Sequence, residues 1–455
     1  MKKTVARARV VYVLIAFFLA GVVLLTVQLV MNGPEWATMK ANQHIYSNGT
    51  VVNAGTITDR NGVVLAESKN NKRVFNTVRA VREAVLHIVG DTSGVISTGT
   101  HNLYRSQLSG YNHLDGIYRL KKKGTGSDIT LNIDAEANKI ARNTFGNYNG
   151  TIVVMNYKTG ELLCSVSKPF YDVNNVPRDL RTNPKYEGVF LDKAVSGKYT
   201  PGSIMKIVTA ACAIENIPDI FERTFECKGE YQTGDGKVIC NGIHGKIDFM
   251  KAMNESCNCA FAEISIELGA DKLLATANSL GFNRHLSAKE VPLTVSSFSP
   301  SSKTKTELGW AGIGQSTTYV NPTHFLSVMG AIANGGTGWA PDRIKSMGAL
   351  GEYVGRMPSV LVKMNPTTAS TLKKMLRSNV KDKYGEYKFP NLEMCGKTGT
   401  AEIDGKKSTS VFAGFSARSD LPLAVVCFAE EAGWGSGVAA NVANAVMQYF
   451  LKNYV

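Results

Sequence analysis

The stretch TIVVMNYKTGELLCSV, residues Thr151–Val166, is typical of a β-hairpin because two apolar runs flank a Lys-Thr-Gly turn. Three further apolar runs of strand length lie near the C-terminus, at residues 392–400, 408–415 and 423–428. The chain between the hairpin and these runs is mostly helical in pattern, above all at residues 202–281 and 323–333. We therefore predict an α/β fold, in which strands from both ends of this region form one sheet and helices cover its faces.

The segments outside this region extend the pattern in both directions. Upstream, residues 129–133 alternate like a strand and residues 134–145 have helical periodicity, while residues 438–451 predict a terminal helix. Residues Thr56–Leu65 predict a strand, an Asn-Gly turn and a second strand. We interpret residues 32–140 as a small mixed pedestal module that carries no catalytic residues.

The overall composition limits the class of protein. Of the 455 residues, 44% are hydrophobic and 19% are charged, which excludes a disordered chain, a coiled coil and a collagen-like fibre. Lys and Arg outnumber Asp and Glu by 51 to 37, so the formal net charge is +14. Such a charge favours an anionic neighbour, either a membrane surface, an acidic polymer or a nucleic acid.

The N-terminus predicts a membrane anchor. Four basic residues within positions 1–9 precede the uncharged apolar run Val10–Met31, which as a helix would rise about 33 Å and cross a hydrocarbon core of about 30 Å. The positive-inside rule places residues 1–9 in the cytoplasm and the rest outside the cell membrane, as a single-pass protein. A cleaved signal peptide is the alternative, but the run is long and no Ala-x-Ala site follows it. Outside the membrane, lipid headgroups and cell-wall polymers are the available anions, rather than nucleic acid.

Ser203 and Lys206 form an S-x-x-K motif. Pro201 and Gly202 stand just before a helical stretch, so we expect Ser203 at a helix start, with Lys206 on the same face. A serine hydroxyl needs a neighbouring base to become a nucleophile. Lysine has an ordinary pKa of about 10.4 and can act as that base only where desolvation or a second cation favours its neutral form. Alone, the motif is equally typical of a helix-capping serine beside a surface lysine.

Two further motifs are uninformative singly but combine with the first. Residues Ser256–Asn258 form S-x-N, and residues Lys397–Gly399 form K-T-G within an apolar strand, where a lysine is compatible with burial only if it faces a cleft. In this order, S-x-x-K, S-x-N and K-T-G are the signature of penicillin-interacting serine enzymes. The chain resembles the class B penicillin-binding proteins, which are monofunctional peptidoglycan D,D-transpeptidases.

The resemblance extends over nearly the whole chain. The pedestal stretch resembles the family motif, although Ala54 stands where an arginine is usual. Four stretches outside the three motifs carry the resemblance: Gly55–Gly62, Val154–Leu163, Gly312–Gln315 and Ala331–Gly336. It implies the penicillin-binding transpeptidase and serine β-lactamase-like fold, an antiparallel sheet flanked by helices. It also implies four parts: a cytoplasmic tail at 1–9, a transmembrane anchor at 10–31, a non-catalytic dimerisation-type pedestal at 32–140 and a penicillin-binding transpeptidase domain at 141–455.

The resemblance implies a role for each motif residue. Ser203 would attack the penultimate D-alanine carbonyl of a peptidoglycan stem peptide, with Lys206 as its base. Ser256 would relay a proton to the leaving D-alanine, and Asn258 would hold Lys206 and the amide of the donor peptide. Lys397 would maintain a positive field.

The substrate-binding residues implied by the resemblance follow Lys397 on the same strand. Thr398 and Thr400 would receive the terminal carboxylate, and the backbone N–H groups of Ser203 and Thr400 would form the oxyanion hole. Gly399 would allow a peptide strand to approach the backbone closely. An amine of a neighbouring stem peptide would then take the acyl group, with weak D,D-carboxypeptidase activity as a side reaction. β-Lactams would acylate Ser203, no cofactor would be required, and a polytopic membrane glycan polymerase would be the partner.

Cysteines and one histidine form a second group of reactive side chains. Cys227 and Cys240 flank a polar loop and either form a disulfide or remain free thiols. With Cys257, Cys259 and His244 nearby in sequence, zinc is an alternative, but the group lacks a C-x2-C knuckle. We therefore expect no metal.

Three alternatives to the transpeptidase remain open. A β-lactamase would hydrolyse its acyl-enzyme rapidly, and Glu290–Thr294 loosely resembles the loop that carries the deacylating base of class A enzymes; we interpret it as a surface loop. A β-lactam receptor or an inactive scaffold would bind without turnover. A Ser-His-Asp hydrolase is disfavoured, because no G-x-S-x-G stretch is present.

Overall fold

The computed structural model describes residues 2–39, 46–47, 50–51, 54–70, 72–111, 126–300, 303–348, 357–403, 405–435 and 437–454. The helices of these residues are α1 (Lys2–Ala37), α2 (Arg79–Ala84), α3 (Leu86–Val89), α4 (Thr100–Leu103), α5 (Arg105–Leu108), α6 (Ala135–Thr144), α7 (Lys193–Ser196), α8 (Lys206–Asn216), α9 (Phe249–Asn254), α10 (Asn258–Ser279), α11 (Lys305–Gly312), α12 (Pro322–Ala333), α13 (Pro366–Ser378) and α14 (Val438–Asn453). The strands are β1 (Tyr46–Ser47), β2 (Thr50–Val51), β3 (Ile57–Thr58), β4 (Val64–Lys69), β5 (Lys72–Phe75), β6 (Ile129–Leu131), β7 (Gly150–Asn156), β8 (Leu162–Lys168), β9 (Thr224–Cys227), β10 (Glu230–Gln232), β11 (Lys237–Ile239), β12 (Gly245–Asp248), β13 (Ser287–Ala288), β14 (Val291–Pro292), β15 (Thr337–Trp339), β16 (Ile344–Met347), β17 (Val360–Lys363), β18 (Met394–Ile403), β19 (Lys406–Ser416) and β20 (Leu423–Ala429).

The central sheet has five antiparallel strands in the order β18-β19-β20-β7-β8. The hairpin β7–β8 comes from the early part of the chain, and β18–β20 come from the end, with β20 pairing against β7 from Leu423 opposite Asn156 to Ala429 opposite Gly150. The predicted sheet built from two sequence ends is therefore confirmed. Strands β7, β8 and β20 are buried along their whole length, because helices cover both faces.

Alternating side chains of the sheet enter two separate cores. On one face, residues such as Val153 and Val426 pack with α8, α10 and α12. On the other face, Ile152 and Val425 pack with α6 and α14. This sheet flanked by helices confirms the predicted fold class, and the terminal helix predicted at 438–451 is α14.

The pedestal is built around a second five-stranded sheet in the order β16-β6-β3-β4-β5. The predicted strand, Asn-Gly turn and strand at Thr56–Leu65 are β3 and β4, which pair antiparallel. Strand β16 (Ile344–Met347) pairs with β6 from a part of the chain assigned to the catalytic domain. The pedestal sheet therefore contains strands from both sides of the predicted domain boundary at residue 140.

The N-terminal helix α1 contains the predicted anchor Val10–Met31. It is long and apolar enough to cross a membrane, and none of its most apolar stretch is buried within the protein. Its large apolar side chains are exposed, and Phe17, Phe18 and Leu25 are each more than two-thirds exposed. Such a surface fits a single-pass membrane anchor.

Candidate active site

A short 3-10 helix at Gly202–Ile204 carries Ser203 and leads directly into α8, so Ser203 lies at a helix start as predicted. Gly202 has φ = +54° and donates its N–H to the Gly314 carbonyl at 3.0 Å. A Cβ added to Gly202 would lie 2.5 Å from the carbonyl oxygen of Thr400 on β18. Glycine is therefore required here, because the serine-bearing turn lies directly against the K-T-G strand.

Lys206 is fully buried one turn along from Ser203, and its Nζ lies 3.1 Å from Ser203 Oγ. The same amine lies 2.6 Å from the Ser256 carbonyl oxygen and 2.7 Å from Asn258 Oδ1. Both oxygens can only accept hydrogen bonds, so they take two N–H donors of Lys206. In the neutral amine the remaining site is a lone pair, which is available for the proton of Ser203.

Asn258 is held in the orientation that this arrangement needs. Its Nδ2 donates to the carbonyl oxygen of Ile239 at 2.8 Å, which leaves Oδ1 facing Lys206. Because the carbonyl of Ile239 can only accept, the amide cannot be flipped without losing both hydrogen bonds.

Ser256 connects the two lysines. Its Oγ lies 3.1 Å from Lys206 Nζ and 2.9 Å from the Nζ of Lys397. Ser256 adopts φ = +54°, which is uncommon for a serine, in the turn between α9 and α10. This turn directs its hydroxyl to the space between the two amines.

Burial lowers the pKa of both lysines. Desolvation first, and then the positive charge of Lys397, lower the pKa of Lys206 to about 7. Desolvation lowers the pKa of Lys397 to about 7 as well. Among their polar contacts are neutral hydroxyl, carbonyl and amide groups, so the neutral form of an amine is accessible near neutral pH.

The strand β18 presents the other predicted binding residues. The N–H and Oγ1 of Thr398 both donate to the Tyr384 hydroxyl at 3.1 Å. Thr400 Oγ1 accepts the N–H of Gly435 at 3.1 Å. A π-helical turn and a loop beyond the three motifs therefore contact the threonines that were predicted to receive a carboxylate.

Gly399 packs against the serine-bearing turn of the chain itself. A Cβ at this position would lie 2.8 Å from the Pro201 carbonyl oxygen and 3.4 Å from the side chain of Ile204. On the side where a Cβ would stand, Gly399 is therefore close to the serine-bearing turn, and its expected role in admitting a peptide strand stays a prediction.

A groove of about 860 Å³ opens above the three motifs. Ser203, Ser256, Asn258, Thr398 and Thr400 all line it. Residues that the sequence did not single out lie beside them: Ile239, Asn241, Trp310, Lys383, Tyr384, Glu402 and Trp434. No local motif marks these positions, because they come from separate segments that only folding brings to the groove: strands β11 and β18, helix α11, two loops and a π-helical turn at Asn379–Tyr384.

Cys227 and Cys240 are both free thiols in the structure. Of the two alternatives that the sequence left open, a disulfide or free thiols, the structure has the second.

A half-buried serine at the floor of a groove, beside two buried lysines and on a sheet covered by helices, defines an active-site serine acyltransferase. The sequence profile of the family "Penicillin binding protein transpeptidase domain" matches residues 150–448. The chain therefore belongs to the penicillin-binding protein transpeptidase family, and the resemblance to its class B members is confirmed.

The relatives agree with this assignment. The chain is 25% identical over 347 residues to "Peptidoglycan D,D-transpeptidase PbpA" of Mycolicibacterium smegmatis, a match that covers 68% of each. It is 26% identical to "Penicillin-binding protein 3" of Bacillus subtilis, covering 70% of this chain and 50% of that protein. The D,D-transpeptidase domain of a peptidoglycan glycosyltransferase from Eggerthella lenta superposes with a TM-score of 0.75 at 26% identity, covering 88% of this chain and 99% of that one.

A structure of lower identity supports the fold. The penicillin G acyl-enzyme of penicillin-binding protein A from M. tuberculosis gives a TM-score of 0.77 at 21% identity, over 88% of this chain and all of that one.

Proposed function

We propose that this chain is a membrane-anchored serine D,D-transpeptidase that crosslinks peptidoglycan stem peptides and is acylated by β-lactams at Ser203. One observation carries the proposal: Ser203, Lys206, Ser256 and Lys397 form an unbroken series of contacts of 3.1, 3.1 and 2.9 Å. A proton can pass along this series in either direction.

The acylation step uses Lys206 as the base. Its neutral amine accepts the proton of Ser203 as Oγ attacks the carbonyl carbon of the penultimate D-alanine. The C–O bond to Ser203 forms, and the carbonyl oxygen becomes an oxyanion. The backbone N–H groups of Ser203 and Thr400 stabilise that charge, and one such donor contributes about 3–4 kcal/mol to lowering the barrier. The close approach of Gly202 to Thr400 supports this pairing.

Collapse of the intermediate releases D-alanine. The C–N bond breaks as Ser256 gives its proton to the leaving nitrogen, and the proton held by Lys206 or Lys397 replaces it. The terminal carboxylate of the donor lies at Thr398 and Thr400, and the positive charge of Lys397 favours its binding. Asn258 holds Lys206 and meets the donor amide.

The acyl-enzyme is then resolved by an amine. The amine of a second stem peptide loses its proton to the same base, attacks the ester and regenerates Ser203, so that a crosslink forms. Water in place of the amine gives D,D-carboxypeptidase activity. A separate polytopic glycan polymerase in the same membrane supplies the glycan strands, with residues 1–9 cytoplasmic, α1 spanning the membrane and the pedestal and catalytic parts outside.

Labelling by a penicillin tests the proposal. We expect the full-length chain in detergent to gain the mass of the drug on the peptide that contains Ser203, and Ser203→Ala to gain none. Incubation with stem-peptide substrates and a membrane polymerase should yield crosslinked product from the unmodified chain alone. Absence of the adduct on Ser203 would overturn the proposal.

A β-lactamase would differ in how quickly the adduct disappears. Glu290, the residue that loosely resembles a deacylating base, lies on the turn between β13 and β14, and its carboxylate accepts a hydrogen bond from the Tyr104 hydroxyl at 2.9 Å. It is not among the residues that line the groove. This position favours a slowly hydrolysed acyl-enzyme, and adduct loss within seconds would favour the β-lactamase instead.

A further inference from the structure

Three thiols and an imidazole meet beside the active-site groove. The ligand atoms of Cys227, Cys240, His244 and Cys257 all lie within 4.8 Å of one another. They come from four separate segments: the end of β9, the residue after β11, the residue before β12 and the N-cap of α10. The three cysteines are buried and His244 is half-buried.

We propose that Cys227, Cys240, His244 and Cys257 form a structural zinc site that holds the S-x-N segment at the wall of the active site. The expectation of no metal rested on the absence of a C-x2-C knuckle. That spacing matters only where two ligands share one turn, whereas here the fold supplies each ligand from a different segment.

Two distances within the cluster, both from Cys240 Sγ, are close to those of a tetrahedral zinc site. Zinc binds sulfur at about 2.3 Å and imidazole nitrogen at about 2.0–2.1 Å, so ligand atoms at tetrahedral angles are about 3.5–3.8 Å apart. Cys240 Sγ lies 3.6 Å from His244 Nδ1 and 3.9 Å from Cys257 Sγ. Three thiolates and one imidazole are a donor set that selects zinc.

Backbone N–H groups point at the sulfurs, as they do around metal-bound thiolates. The N–H of Asn258 donates to Cys240 Sγ at 3.2 Å, and the N–H of Ala260 donates to Cys257 Sγ at 3.5 Å. Such donors stabilise negative charge on sulfur and orient the ligands. The Ala260 contact is also the N-cap hydrogen bond of α10, so the N–H of Asn258 is the more specific of the two donors.

The site is joined to the catalytic residues by the chain itself. Cys257 is the middle residue of S-x-N, between Ser256 and Asn258. Cys240 follows Ile239, whose carbonyl oxygen orients the Asn258 amide at 2.8 Å. Zinc bound to Cys240 and Cys257 would fix the Ile239 carbonyl and the Asn258 amide relative to each other. The four ligands are positioning residues in that sense.

Zinc also accounts for how this small region is held together. The strands β9–β12 form two separate two-stranded ladders of three or four residues each, and such ladders are marginal alone. Binding Zn²⁺ to three thiols displaces three protons and leaves the centre with a net charge of −1, which the basic chain accommodates. No oxidant is needed, in contrast to a disulfide.

Metal analysis of the full-length chain in detergent tests the site directly. We expect about one zinc per chain after purification under reducing conditions without added chelator. Replacement of zinc by Co²⁺ should give the intense d–d bands of tetrahedral cobalt together with thiolate-to-cobalt charge-transfer absorption. Two results would overturn the proposal. One is a zinc-free preparation that takes up neither Zn²⁺ nor Co²⁺. The other is a peptide map in which two of these cysteines form a disulfide although the protein was purified under reducing conditions.

Variants separate a metal ligand from an ordinary buried thiol. Cys227→Ser should retain less than about a tenth of the zinc, whereas Cys427→Ala, which removes a buried thiol from the opposite core, should retain all of it. If Cys227→Ser does not fold, the cobalt spectrum of the unaltered chain still decides the question. Equal zinc in both variants would contradict the ligand assignment.

The effect of zinc on the active site is measured separately, through the rate of Ser203 acylation. This part of the proposal rests on the proposed function. Removal of zinc with a chelator should slow acylation of Ser203 by a penicillin by about tenfold or more, and added Zn²⁺ should restore the rate. Bound zinc without any effect on acylation would refute the positioning role, while the site itself would stand. Failure of acylation in the zinc-loaded chain would count against the proposed function and leave the metal content unaffected.

Discussion

Lys206 and Lys397 are each fully buried, and their described hydrogen-bond acceptors are neutral groups. A buried ammonium without a carboxylate is costly, so the surroundings favour loss of its proton. The same feature that is unfavourable for stability therefore supplies a base near neutral pH. The two lysines have different neighbours. Lys206 contacts Ser203, whereas Lys397 contacts Ser256 from the other side.

Replacing Lys206 by arginine tests whether its proton acceptance matters. Lys206→Arg keeps the positive charge but cannot become neutral, so we expect the rate of Ser203 acylation to fall by about 100-fold to 10,000-fold. Stopped-flow acylation by a chromogenic β-lactam gives the rate. Lys168→Gln, at another buried lysine with a pKa lowered to about 8, is the control and should acylate normally; a normal rate in Lys206→Arg would contradict the role.

The pH dependence of acylation follows from the same pKa. Lys206 must be neutral to accept the proton, and burial with the charge of Lys397 lowers its pKa to about 7. The acylation rate should therefore rise with pH through about 7 and level off above it, changing up to tenfold per pH unit on the acidic side. A rate that stays constant between pH 6 and pH 9 would show that the titrating base lies elsewhere.

Among the elements, the contact between the 3-10 turn at Gly202–Ile204 and strand β18 determines the geometry of the site. Gly314 approaches the same turn from a third segment, because a Cβ there would lie 2.1 Å from the Gly202 carbonyl oxygen. Three backbones thus meet without side chains between them. Ser203 and Thr400 come close enough to act together only because of this packing.

Alanine substitutions at two glycines with the same φ separate the effect of backbone strain from the effect of close packing. Gly202 and Gly146 both have φ = +54°, but a Cβ at Gly146 would meet nothing within 4 Å. Both variants should lose about 1–2 kcal/mol of stability from the left-handed conformation. Gly202→Ala should in addition slow acylation by about 100-fold, because the serine is displaced from β18; equal acylation rates in the two variants would refute this reading.

For the whole molecule, the joint between the pedestal and the catalytic part is formed by strand pairing and one buried amide. Asn132 donates from Nδ2 to the carbonyl oxygens of Asp342 and Ile344 at 2.9 and 3.0 Å. Within the pedestal, Asp59 Oδ2 accepts the N–H of Ala135 at the start of α6, a helix that packs on the central sheet. These contacts join the pedestal sheet to the part of the chain that carries the groove.

Removal of the buried amide should loosen this joint. Asn132→Ala removes hydrogen bonds to two buried carbonyls, of which that of Asp342 keeps the N–H of Leu162 at 2.9 Å. Loss of these two bonds costs about 1–3 kcal/mol. Hydrogen exchange of the β6 and β16 amides should accelerate, while exchange in the central sheet stays unchanged. The control Asn453→Ala removes an exposed side-chain hydrogen bond within α14 and should change exchange in neither sheet. Unchanged exchange in Asn132→Ala would show that the strand pairing between β6 and β16 holds the joint without the amide.

Much of the fold could be predicted from the sequence. Apolar runs of strand length at Thr151–Val166 and in the three C-terminal strands correspond to β7, β8 and β18–β20, because local side-chain pattern determines which segments bury both faces. The order of S-x-x-K, S-x-N and K-T-G likewise identified the family, since these short motifs lie within continuous segments. The long apolar N-terminal helix could also be predicted, from the length and composition of Val10–Met31.

Only the tertiary structure decided which distant groups meet. Ser256 Oγ lies between two amines from α8 and β18, Tyr384 and Gly435 hold the threonines, and β16 completes the pedestal sheet. The convergence of Cys227, Cys240, His244 and Cys257 is of the same kind. Local sequence determines the conformation of a segment, but contacts between segments depend on how sheets and helices pack together, and no short stretch of the chain encodes that packing on its own.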